Sequence, residues 1–278
     1  MTKVIFITGT SRGIGLDTVV KGLEEGNIVV ATSRNSEKLK EEVLKQVPTA
    51  GDNFLAITMN FNEESIKETV EKTIEKYGRI DVLINNAGYA ILGAVEEFSL
   101  EEVRTNFDVN VFGLLAVTQA VLPYMRKERS GHIINISSMS GTVTGPAQGI
   151  YSATKASVIM ISEALAAEVK DLGVKVTAIC PGGVRTDFLD TSMRTPKKNI
   201  EEYHVVKQTM NGLERLNHNQ NGDPKLVAKV LLDVANMPEP PVRLYLGLSA
   251  IRGLEYKVNE VVESANKYTD ISLSIDNK

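Results

Sequence analysis

Two pairs in this chain have the spacing Tyr-x-x-x-Lys: Tyr151 with Lys155, and Tyr203 with Lys207. On a helix, positions i and i+4 share a face, so each lysine can bring an ammonium toward the phenol before it. A free tyrosine has a pKa of about 10, too high for proton transfer at neutral pH. A cation ~5 Å away in an effective dielectric of ~20 contributes roughly 3 kcal/mol, or about two pKa units. That brings the phenol into a useful range for general acid/base work. Only the first pair has a third partner. Ser138 stands thirteen positions before Tyr151, just past an apolar run. Its hydroxyl can hold a substrate oxygen and steady charge developing there. The equivalent position before Tyr203 is Asp190, with no strand end beside it. Tyr203 and Lys207 therefore read as a turn of surface helix.

A second kind of chemistry lies near the start. Thr8-Gly9-Thr10-Ser11-Arg12-Gly13-Ile14-Gly15 follows an apolar run and opens a helical pattern. Glycines let a backbone turn tightly and approach a pyrophosphate, and a helix N-terminus offers free N–H groups and partial positive charge. The spacing is G-x-x-x-G-x-G, neither the G-x-G-x-x-G fingerprint nor a P-loop. Between strand and helix it predicts dinucleotide binding. The second strand ends Ala31-Thr32-Ser33-Arg34-Asn35, with no carboxylate for ribose hydroxyls. Arg12 and Arg34 instead offer two guanidinium groups, which suit a 2′-phosphate. NADP(H) is therefore the expected cofactor, in preference to NAD.

These residues need elements to hold them. Short apolar, β-branched runs fall at 4–8, 28–32, 54–58, 80–85, 132–137, 174–180 and 243–246. Such runs suit parallel strands buried on both faces. Helical patterns alternate with them at 13–25, 36–47 (with Ser36 as its N-cap), 63–77, 100–125, 151–172, 224–236 and 249–267. The alternation predicts an α/β fold: one doubly wound, seven-stranded parallel sheet with helices on both faces, in one domain over 1–278. Ligands bind such sheets at the carboxyl ends of the strands, and Gly9, Ser138 and Asn85-Asn86-Ala87-Gly88 all follow strand ends. Residues 187–222 read as irregular and polar, a substrate-covering lid. A strand and helix at 241–268 close the domain.

Composition excludes several classes. A formal net charge of −4 argues against nucleic acid as a partner. The single cysteine, Cys180, sits in an apolar strand and reads as a buried, inert thiol. His132, His204 and His218 lack metal-ligand spacing, so no metal is expected. No apolar run approaches the ~18 residues of a membrane span, and the first residues lead into a strand without a signal-peptide pattern. A cytoplasmic location is the expectation.

Taken in order, these motifs resemble the short-chain dehydrogenase/reductase family over essentially residues 2 to 190, and the tail loosely resembles its hydroxysteroid-dehydrogenase-like branch. The match comprises T-G-x-x-x-G-I-G at Thr8 to Gly15, N-N-A-G at Asn85 to Gly88, Asn110 in Asp108-Val109-Asn110-Val111, and Ser138 with Tyr151 and Lys155. It closes with Pro181-Gly182-Gly183-Val184-Arg185-Thr186. The resemblance implies a Rossmann fold and a catalytic set of Ser138, Tyr151, Lys155 and Asn110. Tyr151 would protonate a carbonyl oxygen or deprotonate an alcohol. Lys155 would lower the Tyr151 pKa and hold the nicotinamide ribose. Ser138 would orient the substrate, and Asn110 would support a water leading from Lys155 to solvent. Cofactor contacts would fall at Gly9, Ser11, Arg12, Gly13, Ile14, Gly15, Arg34, Asn60, Asn86, Ala87, Gly88, Tyr151, Lys155, Pro181, Gly182, Val184 and Thr186. Asn86 would lie near the adenosine ribose. Asn60 departs from the aspartate the family commonly keeps at the adenine; its amide oxygen can still accept a hydrogen bond.

The resulting expectation is an NADP(H)-dependent oxidoreductase acting on a hydrophobic ketone, aldehyde or secondary alcohol. The candidate pocket is lined by Tyr89, Ile91, Leu92, Thr142, Val143, Phe188, Leu189 and Met193. The alternative is a non-catalytic NADP-binding regulatory protein on the same fold. The resemblance further implies a homodimer or homotetramer paired through the helices at 100–125 and 151–172.

Overall fold

The computed structural model describes residues 2–276. Its centre is a seven-stranded parallel sheet in the order β3-β2-β1-β4-β6-β7-β9. These strands are β1 Val4–Thr8, β2 Ile28–Ser33, β3 Phe54–Thr58, β4 Val82–Asn85, β6 Gly131–Ile136, β7 Val174–Pro181 and β9 Arg243–Leu246. A two-stranded parallel patch pairs β5 (Ala90–Ile91) with β8 (Met193–Arg194). Strand order reverses between β1 and β4, and both end where the glycine loop and Asn86 stand. A doubly wound sheet opens its ligand crevice at such a reversal.

The helices divide between the two faces. On one, α1 (Gly13–Glu24), α2 (Ser36–Gln46) and α8 (Pro224–Asn236) bury Val19, Leu23, Leu39, Val43, Val227 and Leu231 against Ile5, Ile7, Val29 and Ile84. On the other, α3 (Glu63–Tyr77), α5 (Leu114–Glu128) and α6 (Gly149–Val169) bury Ile66, Val70, Val117, Val121 and Val169 against Phe6, Val30, Leu83 and Ile133. The five central strands are thus buried on both sides, as expected from sequence, whereas the edge strands β3 and β9 are mostly half-buried.

Several local expectations are corrected. Asn35 caps α2: its side chain accepts from Lys38 N at 3.0 Å, and Ser36 is the first helical residue. The stretch read as one helix over 100–125 is α4 (Leu100–Phe107), a π-helical turn over Asp108–Gly113, and α5. The extra residue of a π turn is invisible to an apolar period. Together they form a helix over Leu100–Glu128 long and apolar enough to cross a membrane, a length that the expectation of no apolar run near ~18 residues missed because the π turn and polar residues break the pattern. Its buried residues Val117, Val121 and Met125 belong to the sheet-packing cluster.

The 187–222 segment is also more ordered than its polarity implies. It contains β8 and α7 (His204–Leu216). Val206 is buried, and Met210 and Leu213 are packed inward, at a spacing of four and three residues that marks one helix face. Tyr203, expected on a turn of surface helix, lies instead just before α7, half-buried against Ala94, Ala147 and Val206 with its hydroxyl on Glu96. The chain closes with α9 (Leu248–Lys267) and a short α10 (Thr269–Leu273).

Candidate active site

Tyr151 sits in the first turn of α6, 8 % exposed. Lys155, one turn on and 5 % exposed, places Nζ 5.9 Å from the centroid of the Tyr151 ring. The same Nζ donates to the carbonyl of Ile136, at the end of β6, over 2.9 Å. Ser138 follows that strand end. Its Oγ accepts from Ser140 N at 3.1 Å, and Ser138 stands close enough to the Tyr151 phenol to favour its charged form. The fold thus brings together the three residues singled out by spacing.

Their electrostatics differ from the expectation. Burial dominates, raising the Tyr151 pKa well above its ordinary value, with only a smaller lowering contribution from Ser138. Burial also lowers Lys155 to about 8. A lysine at i+4 therefore does not by itself bring the phenol down, because desolvation acts on both charges at once.

Asn110 is placed by the π turn. Its Nδ2 donates to Tyr89 O at 2.9 Å and to Thr154 Oγ1 at 3.1 Å, while its Oδ1 accepts from Tyr89 N at 3.0 Å. Gly88 lies between this group and the lysine. A Cβ there would meet Asn110 Oδ1 at 3.1 Å and Lys155 Nζ at 3.4 Å. A larger residue at 88 would crowd both.

The glycine loop has the shape a pyrophosphate needs. Gly9 and Gly13 have φ of +69° and +57°, a region that L side chains rarely enter. A Cβ at Gly9 would stand 2.6 Å from Ala87 Cα, and one at Gly15 would stand 2.5 Å from Asn86 Nδ2. The first turn of α1 carries no side-chain cap, whereas Asn35, Asn62, Ser99 and Asp223 cap α2, α3, α4 and α8. Its leading N–H groups are thus left for a ligand. Thr186 faces the loop: a Cβ at Gly13 would contact Thr186 Cγ2 at 3.4 Å. Pro181, Gly182 and Val184 lead from β7 to Thr186. Ser11 is exposed and Ile14 half-buried on either side of Gly13. These residues fit a dinucleotide.

Asn86 proves to be a brace for the loop. Its Nδ2 donates to Thr8 O and Gly9 O at 3.0 and 2.8 Å, and Thr8 Oγ1 accepts from Asn86 N and Ala87 N. Thr10 N donates to Thr32 O at 3.1 Å, and Arg12 and Arg34 each lie two residues further along their segments. Arg34 is exposed; Arg12 reaches Thr191 O at 3.3 Å. Ser33 is buried, with its hydroxyl taken up by the turn at Asn35. Asn60 is exposed at the end of β3.

The side chains packed around Tyr151 are apolar. Ala90, Leu92 and Tyr151 cluster with Phe188, Leu189, Met193, Met210 and Leu213. The Phe188 and Tyr151 ring centroids are 5.9 Å apart. Met210 and Leu213 were not anticipated; the apolar spacing along α7 was the signal for them. Ile91 is buried on β5, Thr142 bonds the Tyr245 hydroxyl, and Arg194 lies over the Tyr89 ring at 4.9 Å. Glu97, 6 % exposed, fastens the covering segment by accepting from Ala94 N and Ile200 N, each at 2.8 Å.

The covering segment also gathers Asp187, Asp190 and His218, with ligand atoms within 4.8 Å of one another. The linear spacing of the histidines had not indicated this. All three are exposed, and Asp190 bonds both His218 and Asn217. Cys180 is fully buried, and burial pushes its thiol up to about 11, as its apolar strand predicts.

A family profile described as short chain dehydrogenase matches residues 3–197. The chain is 35% identical over 278 residues to the oxidoreductase BOA17 of Botryotinia fuckeliana, covering 99% of each chain. It is 38% identical over 247 residues to 3-ketodihydrosphingosine reductase of Bacteroides thetaiotaomicron, covering 88% of each. A solved short-chain dehydrogenase of Streptomyces avermitilis superposes with a TM-score of 0.90 at 32% identity, covering 100% of both chains.

Proposed function

The chain belongs to the short-chain dehydrogenase family, and within it we propose an NADP(H)-dependent enzyme that interconverts hydrophobic ketones or aldehydes with their alcohols. The observation that carries the reading is a buried phenol, Tyr151, against an apolar wall, with Lys155 and Ser138 beside it. A non-catalytic binding protein has no use for a buried ammonium at that place, since burying it costs stability.

A bound nicotinamide supplies or accepts the hydride. Tyr151 holds its proton because burial disfavours phenolate, so the resting phenol is the acid needed for reduction. It gives that proton to the carbonyl oxygen as negative charge develops there. Ser138 steadies the same oxygen. Lys155 stabilises the phenolate left behind, and Asn110, beside Gly88, lies on the path by which the proton is replaced. Phe188, Leu92 and Met193 exclude water from the reacting atoms. In the alcohol-oxidising direction the roles reverse, and Tyr151 must first be deprotonated.

NADP(H) is supported by two arginines, Arg12 in the glycine loop and Arg34 just after β2, and by the absence of a carboxylate after β2. An apolar substrate is supported by the wall, and the relative named for 3-ketodihydrosphingosine acts on such a ketone. A cytoplasmic homodimer or homotetramer belongs to the same proposal; Phe112 and Met160, 58 % and 54 % exposed, present apolar surface on the two helices expected to pair.

The test is titration with NADPH and NADH, followed by an absorbance assay on a panel of hydrophobic ketones. NADPH should bind more tightly, wild type should oxidise it, and Tyr151→Phe should bind but not turn over. Tighter NADH binding would refute the role of Arg12 and Arg34. Binding without turnover of any carbonyl would favour the regulatory protein.

A further inference from the structure

A chain of side chains running through the last strand ties the Ser138 loop to the helix that carries Tyr151 and Lys155. Past Ser138 the loop makes a single 3₁₀ turn, Met139–Gly141. Gly141 N donates to Ser138 O at 3.0 Å, and Thr142 N donates to Met139 O at 2.9 Å. A displacement of Thr142 is therefore passed back to Ser138. On one side the turn rests on α6, where a Cβ at Gly141 would stand 2.7 Å from both Lys155 O and Ile159 Cδ1. On another it is held by β9. The Thr142 hydroxyl bonds the Tyr245 hydroxyl, Arg243 Nη1 donates to the Tyr245 oxygen at 3.1 Å, and Arg243 Nη2 donates to Glu163 on α6.

Two features set this chain apart from an ordinary surface ion pair. Tyr151, Lys155, Ile159 and Glu163 follow one another in steps of four, along one ridge of α6. The tie thus starts on the ridge that holds the phenol and the ammonium, and it ends on the loop that holds the serine. Its polarity is also fixed. Arginine can only donate, so the Tyr245 oxygen accepts from Arg243, and its own hydrogen is left for Thr142 Oγ1. Arg243 and Tyr245 are half-buried on β9, which lies beyond the residues 3–197 that the family profile matches.

We propose that Tyr245, held by Arg243 and Glu163, is a positioning residue for Ser138: it fixes the serine relative to Tyr151 and Lys155. The inference rests on the oxidoreductase reading above and adds a residue to it. Tyr245 acts through Thr142 and the turn behind Ser138. A group that steadies developing charge works only when held close to its productive geometry. A partly exposed ion pair contributes little to stability, so the tie shows itself in rate and not in Tm.

Tyr245→Phe removes one oxygen and keeps the ring. With NADPH and a ketone that wild type reduces, kcat should fall about five- to tenfold, the worth of one hydrogen bond, while Tm and the Kd for NADPH stay unchanged. Thr142→Val should lose as much, and Thr142→Ser, which keeps the acceptor oxygen, should stay near wild type. The deciding measurement is a cycle with Ser138→Ala. In that background Tyr245→Phe should change kcat by less than about twofold, since no serine is left to position. An equal loss in both backgrounds, a wild-type kcat in Tyr245→Phe, or a loss shared with NADPH affinity and Tm would overturn the proposal. So would amide exchange over residues 139–143 that is no faster in Tyr245→Phe than in wild type. A wild type that reduces no ketone, or a Tyr151→Phe variant as active as wild type, refutes instead the oxidoreductase reading, and the proposal falls with it.

Discussion

Replacing Lys155 by methionine should stabilise the free protein and abolish turnover. Burial lowers the Lys155 pKa from 10.5 to about 8. Between those values the unfolded chain keeps a proton that the folded chain has lost, so stability rises with pH. Below pH 8 the full penalty is present. At about 1.4 kcal/mol per pH unit it amounts to ~3 kcal/mol. Removing the ammonium also removes its hydrogen bond to Ile136 O, a loss of about 1 kcal/mol. Methionine is close in volume and adapts to irregular gaps. Lys155→Met should therefore gain ~2 kcal/mol near neutral pH, and above pH 8 the gain should fall away and give way to a loss of up to about 1 kcal/mol beyond pH 10. Urea unfolding of both proteins at pH 7, 9 and 10.5 measures it. A variant less stable than wild type at pH 7, or a difference that ignores pH, would refute the claim that Lys155 is held in place against its own desolvation.

Carbonyl reduction should run level through neutral pH and fall as pH rises through about 8, because Lys155 then loses its charge while Tyr151 keeps its proton; a pH–rate profile checks this. Gly9→Ala forces φ of +69° on a residue with a Cβ placed 2.6 Å from Ala87 Cα, so the loop must shift and NADPH affinity should fall about five- to thirtyfold, the equivalent of a strain of roughly 1–2 kcal/mol; unchanged binding by fluorescence titration would remove the loop from the cofactor site. His132 is buried and its pKa lowered to about 4, chiefly by desolvation. From pH 6.5 down to 4 the unfolded chain takes up a proton that the folded one refuses, so stability should drop by ~3 kcal/mol; His132→Gln should flatten that slope in urea titrations. Glu97→Ala orphans the N–H groups of Ala94 and Ile200, at about 1–3 kcal/mol for each that stays buried. It should raise KM more than it lowers kcat, and an unchanged KM would show that the covering segment is held elsewhere.

The alternation of apolar runs and helical periods was enough to write down the sheet, because strands buried on both faces and helices buried on one must carry those patterns. A spacing of four from Tyr151 to Lys155, and a strand end before Ser138, were enough to bring three side chains together, since local geometry sets both relations. Other features depend on segments far apart in the chain. The π turn at Asn110 inserts a residue that no apolar period registers. Met210 and Leu213 become pocket wall only because α7 folds back toward Phe188 and Leu92. Asp187, Asp190 and His218 meet only across the loop that carries α7. The sign of the Tyr151 shift was decided there too. A pairwise view of one ammonium near one phenol gives a lowered pKa, whereas the packed site removes both groups from water, and desolvation, summed over every neighbouring element, outweighs the single charge.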